Sequence, residues 1–203
     1  MFFVDADRIA FLIGDVSGKG VPAALFMASS KTILQNCIRD IPSLSEALFT
    51  ANNVMCEKNE ADMFVTVWAG VLDLRSGSLT YVSAGHNPPV LLHGGEPEFV
   101  KSRNGFVLAG MENAKYREAE LQLTEEDALF LYTAGVTEAT TKDNELYGND
   151  RLLACLGGCT GSGVETVLEN VKQSVDGFVH GNEQFDDITM LCFRWRQRSG
   201  EGQ

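Results

Sequence analysis

A mostly antiparallel α+β sandwich is the fold class this sequence predicts, and three observations predict it. Helical periodicity is confined to two blocks, near 21–55 and 164–178. Short apolar runs rich in β-branched and aromatic residues fill the middle and the end. Strand and helix do not alternate one for one, which disfavours repeated βαβ units.

Arg8 to Gly14 (RIAFLIG) reads as the first strand, and Asp15 to Gly20 (DVSGKG) as a turn. Pro22 suits the first turn of a helix, and Ala23 to Cys37 are good helix formers. Met27, Leu34, Ile38 and Ile41 recur at helical intervals until Pro42 breaks the chain. Leu44, Leu48, Ala51 and Met55 then form one apolar face of a second helix. Phe64 to Leu72 is apolar on both faces, the pattern of a central strand, and pairs with Leu79 to Ala84 across Arg75-Ser76-Gly77. Val90 to Leu92 and Glu98 to Val100 flank His93-Gly94-Gly95, another turn. Arg117 to Leu123 alternates, with Ala119, Leu121 and Leu123 inward. Ala128 to Thr133 is a buried strand. Val164, Val167, Leu168, Val171, Val175 and Phe178 form a helical stripe, and Ile188 to Arg194 is the last strand. The stretch from Arg194 to Gln203 is polar and expected to fray.

Composition bounds the function. Lys+Arg 16 against Asp+Glu 28 leaves a net charge of −12, which argues against nucleic acid or an anionic membrane as the main partner. Carboxylates remain natural ligands for hard cations. The five cysteines are odd in number and irregularly spaced, so they read as small core residues of a reducing cytosol. No apolar run approaches the roughly 18 residues of a membrane span. The N-terminus has no basic region of a signal peptide and reads like the middle of something.

Four segments put polar groups at the ends of apolar strands. In Gly14-Asp15-Val16-Ser17-Gly18-Lys19-Gly20 a carboxylate leaves a strand and enters a glycine turn before a helix. Such a turn lets an ion or phosphate approach the backbone. It is equally a plain strand-to-helix connection with Asp15 as a cap. A P-loop fails on spacing, since only three residues separate Gly14 from Gly18-Lys19 and Gly20 follows. In Ser83-Ala84-Gly85-His86-Asn87-Pro88-Pro89, His86 is a structural hydrogen-bonder before it is a base, with its ring on nearby backbone and away from Asp15. No G-x-S-x-G elbow supports a Ser17–His86 hydrolase. Leu131-Tyr132-Thr133-Ala134-Gly135-Val136-Thr137-Glu138 is a third strand end. Phe185-Asp186-Asp187-Ile188-Thr189 is the fourth, where only one of the adjacent carboxylates should face a given site.

Taken together, GDVSGKGVPAALFM, DMFVTVWAGVLDLRSGSLTYVSAGHNPP, LFLYTAGVTEA and FDDITML resemble, in order and spacing, the SpoIIE/RsbU branch of the PPM (PP2C-like) phosphatases. The resemblance implies a PP2C-like β-sandwich flanked by helices, α-β-β-α and mostly antiparallel. Residues 1–195 would be the phosphatase domain, truncated at its N-terminus, and 196–203 a polar tail. It implies a bacterial, cytoplasmic protein serine/threonine phosphatase with two Mn²⁺ or Mg²⁺ ions, whose bridging water attacks phosphorus without a phosphoenzyme. Asp15 resembles the bridging aspartate, the Val16 carbonyl the backbone ligand beside it, and Asp186 the late aspartate ligand, with Asp187 its lesser rival. Asp15 and Asp186 are then expected within about 5–6 Å of each other.

The implied substrate is a phosphorylated regulatory protein of the anti-anti-sigma (STAS) kind, with a sensor domain upstream and room for a homodimer. No nucleic acid and no membrane segment are expected. Two departures stand out. The family's upstream Gly-Gly-Asp-x-x-Asp carboxylate lies before this chain starts. Its Thr-Asp-Gly motif reads Thr133-Ala134-Gly135, and a methyl group coordinates nothing. Ser17 stands where eukaryotic relatives carry a histidine, so the general acid is unassigned. The chain is therefore expected to bind metal weakly and to be catalytically impaired. The alternative is a pseudophosphatase or phosphoprotein-binding module, and Glu138 or Asp187 would have to substitute as ligand in an active chain.

Overall fold

A computed structural model describes residues 1–57, 59, 62–94, 96–101, 105–159, 161–182 and 186–197. The chain divides into two compact units. The first holds residues up to His86 and most of the stretch before Leu123; the second holds residues 87–101 and 124–196.

In the first unit, strands β1 (Phe2–Phe3), β2 (Arg8–Val16), β3 (Val65–Asp73), β4 (Ser78–Ala84) and β7 (Ala119–Gln122) form a sheet of order β1-β2-β3-β4-β7. Every ladder in it is antiparallel. β2 and β3 pair without a slip from Arg8↔Asp73 to Val16↔Val65. The expected turn at Asp15 therefore starts later, because Asp15 and Val16 still have Thr66 and Val65 as ladder partners.

Helix α1 (Val21–Asp40) begins at Gly20, whose φ of 81° is a left-handed value that glycine adopts without strain. Pro22 sits in its first turn, where a missing N–H costs nothing. It ends at extended Ile41, as the residue before Pro42 requires. Its inward stripe is Ala23, Ser30, Leu34 and Ile38. Met27, expected inward, is 50% exposed because it borders an open cleft of about 180 Å³ between α1 and β2.

Helix α2 (Leu44–Glu57) buries Leu44, Leu48, Ala51 and Met55 as predicted, together with Ala47 and Asn52. They pack with Ala10, Val67, Ala69 and Val82 from one face of the sheet. Each fully buried Leu or Met there contributes roughly 1.5–3 kcal/mol, and Leu48→Ala would cost about 2–5 kcal/mol. The Glu118 carboxylate caps α2, accepting from the Ser45 amide and the Ser43 hydroxyl, both at 2.8 Å.

In the second unit, β5 (Val90–His93), β6 (Glu96–Phe99), β8 (Ala128–Tyr132) and β9 (Met190–Arg194) form an antiparallel sheet of order β6-β5-β8-β9. β8 (ALFLY) is buried at every residue, in keeping with its place inside the sheet. Helices α4 (Gly148–Gly157) and α5 (Val164–Val179) pack Leu152, Leu156, Val167, Val171 and Val175 with Val90, Phe130 and Tyr132. The short α3 (Ala134–Thr137) follows β8 directly.

The α+β class and antiparallel pairing are as predicted. β1, α3 and α4 carry too few periodic residues to be read from sequence; α4 offers only Leu152 and Leu156 as a buried pair. The last strand ends at Arg194 as read but begins at Met190 instead of Ile188, and Trp195, expected to fray, is buried beside it. Gly95, Phe185 and Arg198 to Gln203 lie outside the described residues. Among the described residues no helix is long and apolar enough to cross a membrane. All five cysteines are free thiols, and burial pushes the Cys192 thiol up to about 12, so it is inert at neutral pH.

Candidate functional site

The first unit presents Asp15 at the end of β2. Directly paired residues of antiparallel strands carry their side chains on one face, so Asp15 shares a face with Thr66. The Thr66 hydroxyl donates to the Asp15 carbonyl at 3.4 Å and lies 2.9 Å from His86 Nδ1. His86 is 2% exposed. Its ring is hydrogen-bonded, but not to nearby backbone and not away from Asp15 as expected. The ring bonds a side chain, and that side chain is the cross-strand neighbour of Asp15. Thr66 is the residue that sequence reasoning missed. Its signal was a hydroxyl between Val65 and Val67 in an otherwise apolar strand.

Beyond Asp15 the chain is clamped to β3. The Ser17 amide donates to the Phe64 carbonyl at 2.8 Å, and the Ser17 hydroxyl accepts from the Phe64 amide at 2.8 Å. The Ser17 oxygen is thus committed to holding the turn, which leaves it poorly suited as the nucleophile of a Ser–His hydrolase.

In the second unit, Thr133-Ala134-Gly135 leaves β8 and packs onto the segment before β9. The Thr133 hydroxyl donates to the Asp187 carbonyl at 3.1 Å and accepts from the Thr189 amide at 3.0 Å. A β-carbon on Gly135 would lie 2.4 Å from the Asp187 carbonyl oxygen and 3.3 Å from that of Asp186, so only glycine fits. Asp186 is half-buried and accepts the Asp187 amide at 2.8 Å, while Asp187 is exposed. The two adjacent carboxylates thus differ in exposure. Asp186 also lines a cavity of about 220 Å³ with Glu138, Gly135, Thr140 and Asn182.

Ala134 and Asp186 therefore belong to one corner of the second unit, and Asp15 and Val16 to the first unit. Carboxylates and a carbonyl are the donors hard divalent ions take. The donors fit in kind but fall short in number. Among the described residues no group of three or more His, Cys, Asp or Glu side chains is gathered to hold an ion. Where a carboxylate would complete the strand end, Ala134 offers a methyl group.

The sequence profile described as "Stage II sporulation protein E (SpoIIE)" matches residues 5–196. The chain belongs to the SpoIIE family. Among curated relatives of this SpoIIE domain, Protein IcfG of Synechocystis sp. is 31% identical over 94% of the chain. Phosphoserine phosphatase RsbU of Bacillus subtilis is 28% identical over 95%. The SpoIIE domain spans only 34% and 57% of those two proteins. The SiaA-PP2C domain of Pseudomonas aeruginosa superposes with a TM-score of 0.83 at 19% identity, covering 95% of this chain and 77% of that one. The fold is PP2C-like.

Proposed function

We propose that this SpoIIE domain, residues 1–195, is the catalytic core of a bacterial signalling phosphatase that hydrolyses phosphoserine or phosphothreonine on a regulatory protein. The observation that carries the reading is the seating of Thr133-Ala134-Gly135 against Asp186–Asp187, where the family motif's strand end meets the late aspartate. Asp15, the Val16 carbonyl and Asp186 are the proposed ligands of Mn²⁺ or Mg²⁺. Ions so bound supply charge neutralisation of the phosphoryl group and an activated water. By the family resemblance, the substrate would be an anti-anti-sigma-like (STAS) phosphoprotein, met in the cytoplasm. A sensor domain elsewhere in the full protein would control it.

A second reading is favoured by one specific residue. Ala134 removes a unit of negative charge from a site that must hold two mutually repelling dications. In that reading the domain docks a phosphoprotein with little turnover. Its small side chain leaves room for docking.

The test is Mn²⁺-dependent hydrolysis of p-nitrophenyl phosphate by the chain and by Ala134→Asp. Turnover near background for the chain, rising on Ala134→Asp, supports a phosphatase fold with a weakened centre. Full turnover of the unmodified chain at micromolar Mn²⁺ overturns the impairment and assigns the ligand role to Glu138 or Asp187. No turnover from either protein overturns the phosphatase reading.

A further inference from the structure

The cleft of about 180 Å³ between α1 and β2 lies wholly within the first unit. Its floor is the helix-covered face of the sheet. Leu12, Gly14 and Val16 of β2 line it, and Gly14 and Val16 pair directly with Val67 and Val65, which line it too. Its wall is Met27, Ser30, Lys31 and Leu34, spaced as one face of α1. Side chains alternate along a strand, so the Asp15 carboxylate stands on the other face of the sheet. The cleft is behind that carboxylate and does not contain it.

Gly14 keeps the floor open. It is exposed although it occupies an inner rung of the β2–β3 ladder. A β-carbon there would stand 2.7 Å from the Thr66 carbonyl oxygen and 3.2 Å from Val67, so no side chain fills the space above it.

Ser30 adds an independent observation. It is 3% exposed, and its hydroxyl is buried with no hydrogen-bond partner among the described residues. Buried hydroxyls are ordinarily bonded. On a helix the usual recourse is the carbonyl four residues earlier. Thr32 takes it, donating to the Ala28 carbonyl at 2.9 Å. Ser30 does not, and it stands in the wall of a cleft whose other lining is almost entirely apolar. Rotation about one bond turns such a hydroxyl toward an acceptor.

Charge and size select the occupant. Lys31 is exposed and is the one charged side chain among the described residues that line the cleft. A buried hydroxyl and a neighbouring ammonium at the rim match the two oxygens of a single carboxylate. A phosphate dianion would need more donors than these two. The valines and leucines of floor and wall suit an aliphatic tail. The volume is below the roughly 300–1,000 Å³ of sites for drug-sized ligands, so the tail is short.

We propose that the α1–β2 cleft binds a small aliphatic carboxylate, its tail on Leu12, Val16 and Val67 and its head shared by the Ser30 hydroxyl and the Lys31 ammonium. The site is independent of the phosphatase reading, and its test needs no turnover.

The test titrates sodium octanoate into protein labelled at the methionine methyl groups. Octylammonium chloride controls for the charge and sodium acetate for the tail. Octanoate should move the Met27 resonance saturably and leave exposed Met111, on another loop, unmoved. Neither control should do so at the same concentrations. Ser30→Ala strands no partner, so it should fold as well as the unmodified chain. It should weaken octanoate about ten-fold or more. Lys31→Glu, on the surface, should weaken it about three-fold or more, and less at high salt. No saturable Met27 shift up to the solubility limit overturns the site. So do equal shifts at Met111, octylammonium binding as tightly as octanoate, or an affinity unchanged in either variant.

Discussion

Gly135 lies so close to Asp187 that a β-carbon at position 135 would stand 2.4 Å from the Asp187 carbonyl oxygen. That contact fixes the corner carrying Ala134 and Asp186. Gly135→Ala must push the segment before β9 away. Overpacking of this kind costs about 1–3 kcal/mol. The urea midpoint should fall accordingly, and amides near Thr189 should exchange faster. A stability equal to the unmodified chain would mean the two segments part freely.

Thr133→Val keeps the shape of that corner and removes its hydroxyl. The Thr189 amide loses its acceptor and the Asp187 carbonyl its donor. A group left unsatisfied in a buried setting costs about 1–3 kcal/mol. Thr133→Ser should retain most of the stability. The comparison of Val and Ser by urea denaturation separates the hydroxyl from the packing.

Ala134→Asp should couple Mn²⁺ to stability more strongly than the unmodified chain does. A ligand present at 100 times its Kd adds about 2.7 kcal/mol to the folded state. Titrating Mn²⁺ while following the thermal midpoint should give a larger rise for Ala134→Asp. Asp186→Asn placed on top of it should abolish the rise. Equal midpoint curves for all three proteins would remove Asp186 from the ligand set.

His93 pairs with buried Asp127, whose other oxygen accepts from the Thr124 amide and hydroxyl. The Asp127 hydrogen bond and charge, helped by Glu126 and Glu98, hold the His93 ring above its ordinary 6.5. The folded state therefore binds the His93 proton more tightly than the unfolded chain. The stabilisation is complete below pH 6.5 and fades as pH rises through the raised folded value. The stability advantage over His93→Gln should be largest in mild acid and shrink at alkaline pH. Urea midpoints measured from pH 5.5 to 9 check the sign; an advantage that grew with pH would contradict the pairing.

Asn52→Ala should free the loop holding Phe106 and Met111. It deletes the acceptor of the Ala109 amide and the Tyr116 hydroxyl, and the donor to the Met111 carbonyl. A loss of at least 1–3 kcal/mol is expected from the stranded partners, with faster amide exchange at Ala109. Asn52→Asp keeps an acceptor but buries a carboxylate whose second oxygen would face the Met111 carbonyl, so it should lose at least as much.

Much of this was legible in the sequence where one element carries its own signal. Leu44, Leu48, Ala51 and Met55 announce α2 because four apolar side chains at helical spacing have no other use. Gly14-Asp15 and Thr133-Ala134-Gly135 stand out because polar groups follow apolar runs. What escaped depends on partners distant in sequence. Asn52 looks like any polar helix residue, and its role appears only with Ala109 and Met111 beside it. Asp15 and Val16 read as a turn because glycines follow them; the opposing strand extends β2 through both.

The unbroken pairing of β2 with β3 has an evolutionary consequence. Side chains alternate along β2, with Ala10 and Leu12 toward the helices and Phe11, Ile13 and Asp15 on the other face. Deleting one residue between Ile9 and Gly14 would carry Asp15 over to the helix-covered face and leave Thr66 opposite an apolar neighbour. Length is therefore frozen along this strand. Relatives of this domain should diverge there by exchange of side chains and keep their gaps for the 74–77 turn and other connections that bear no register.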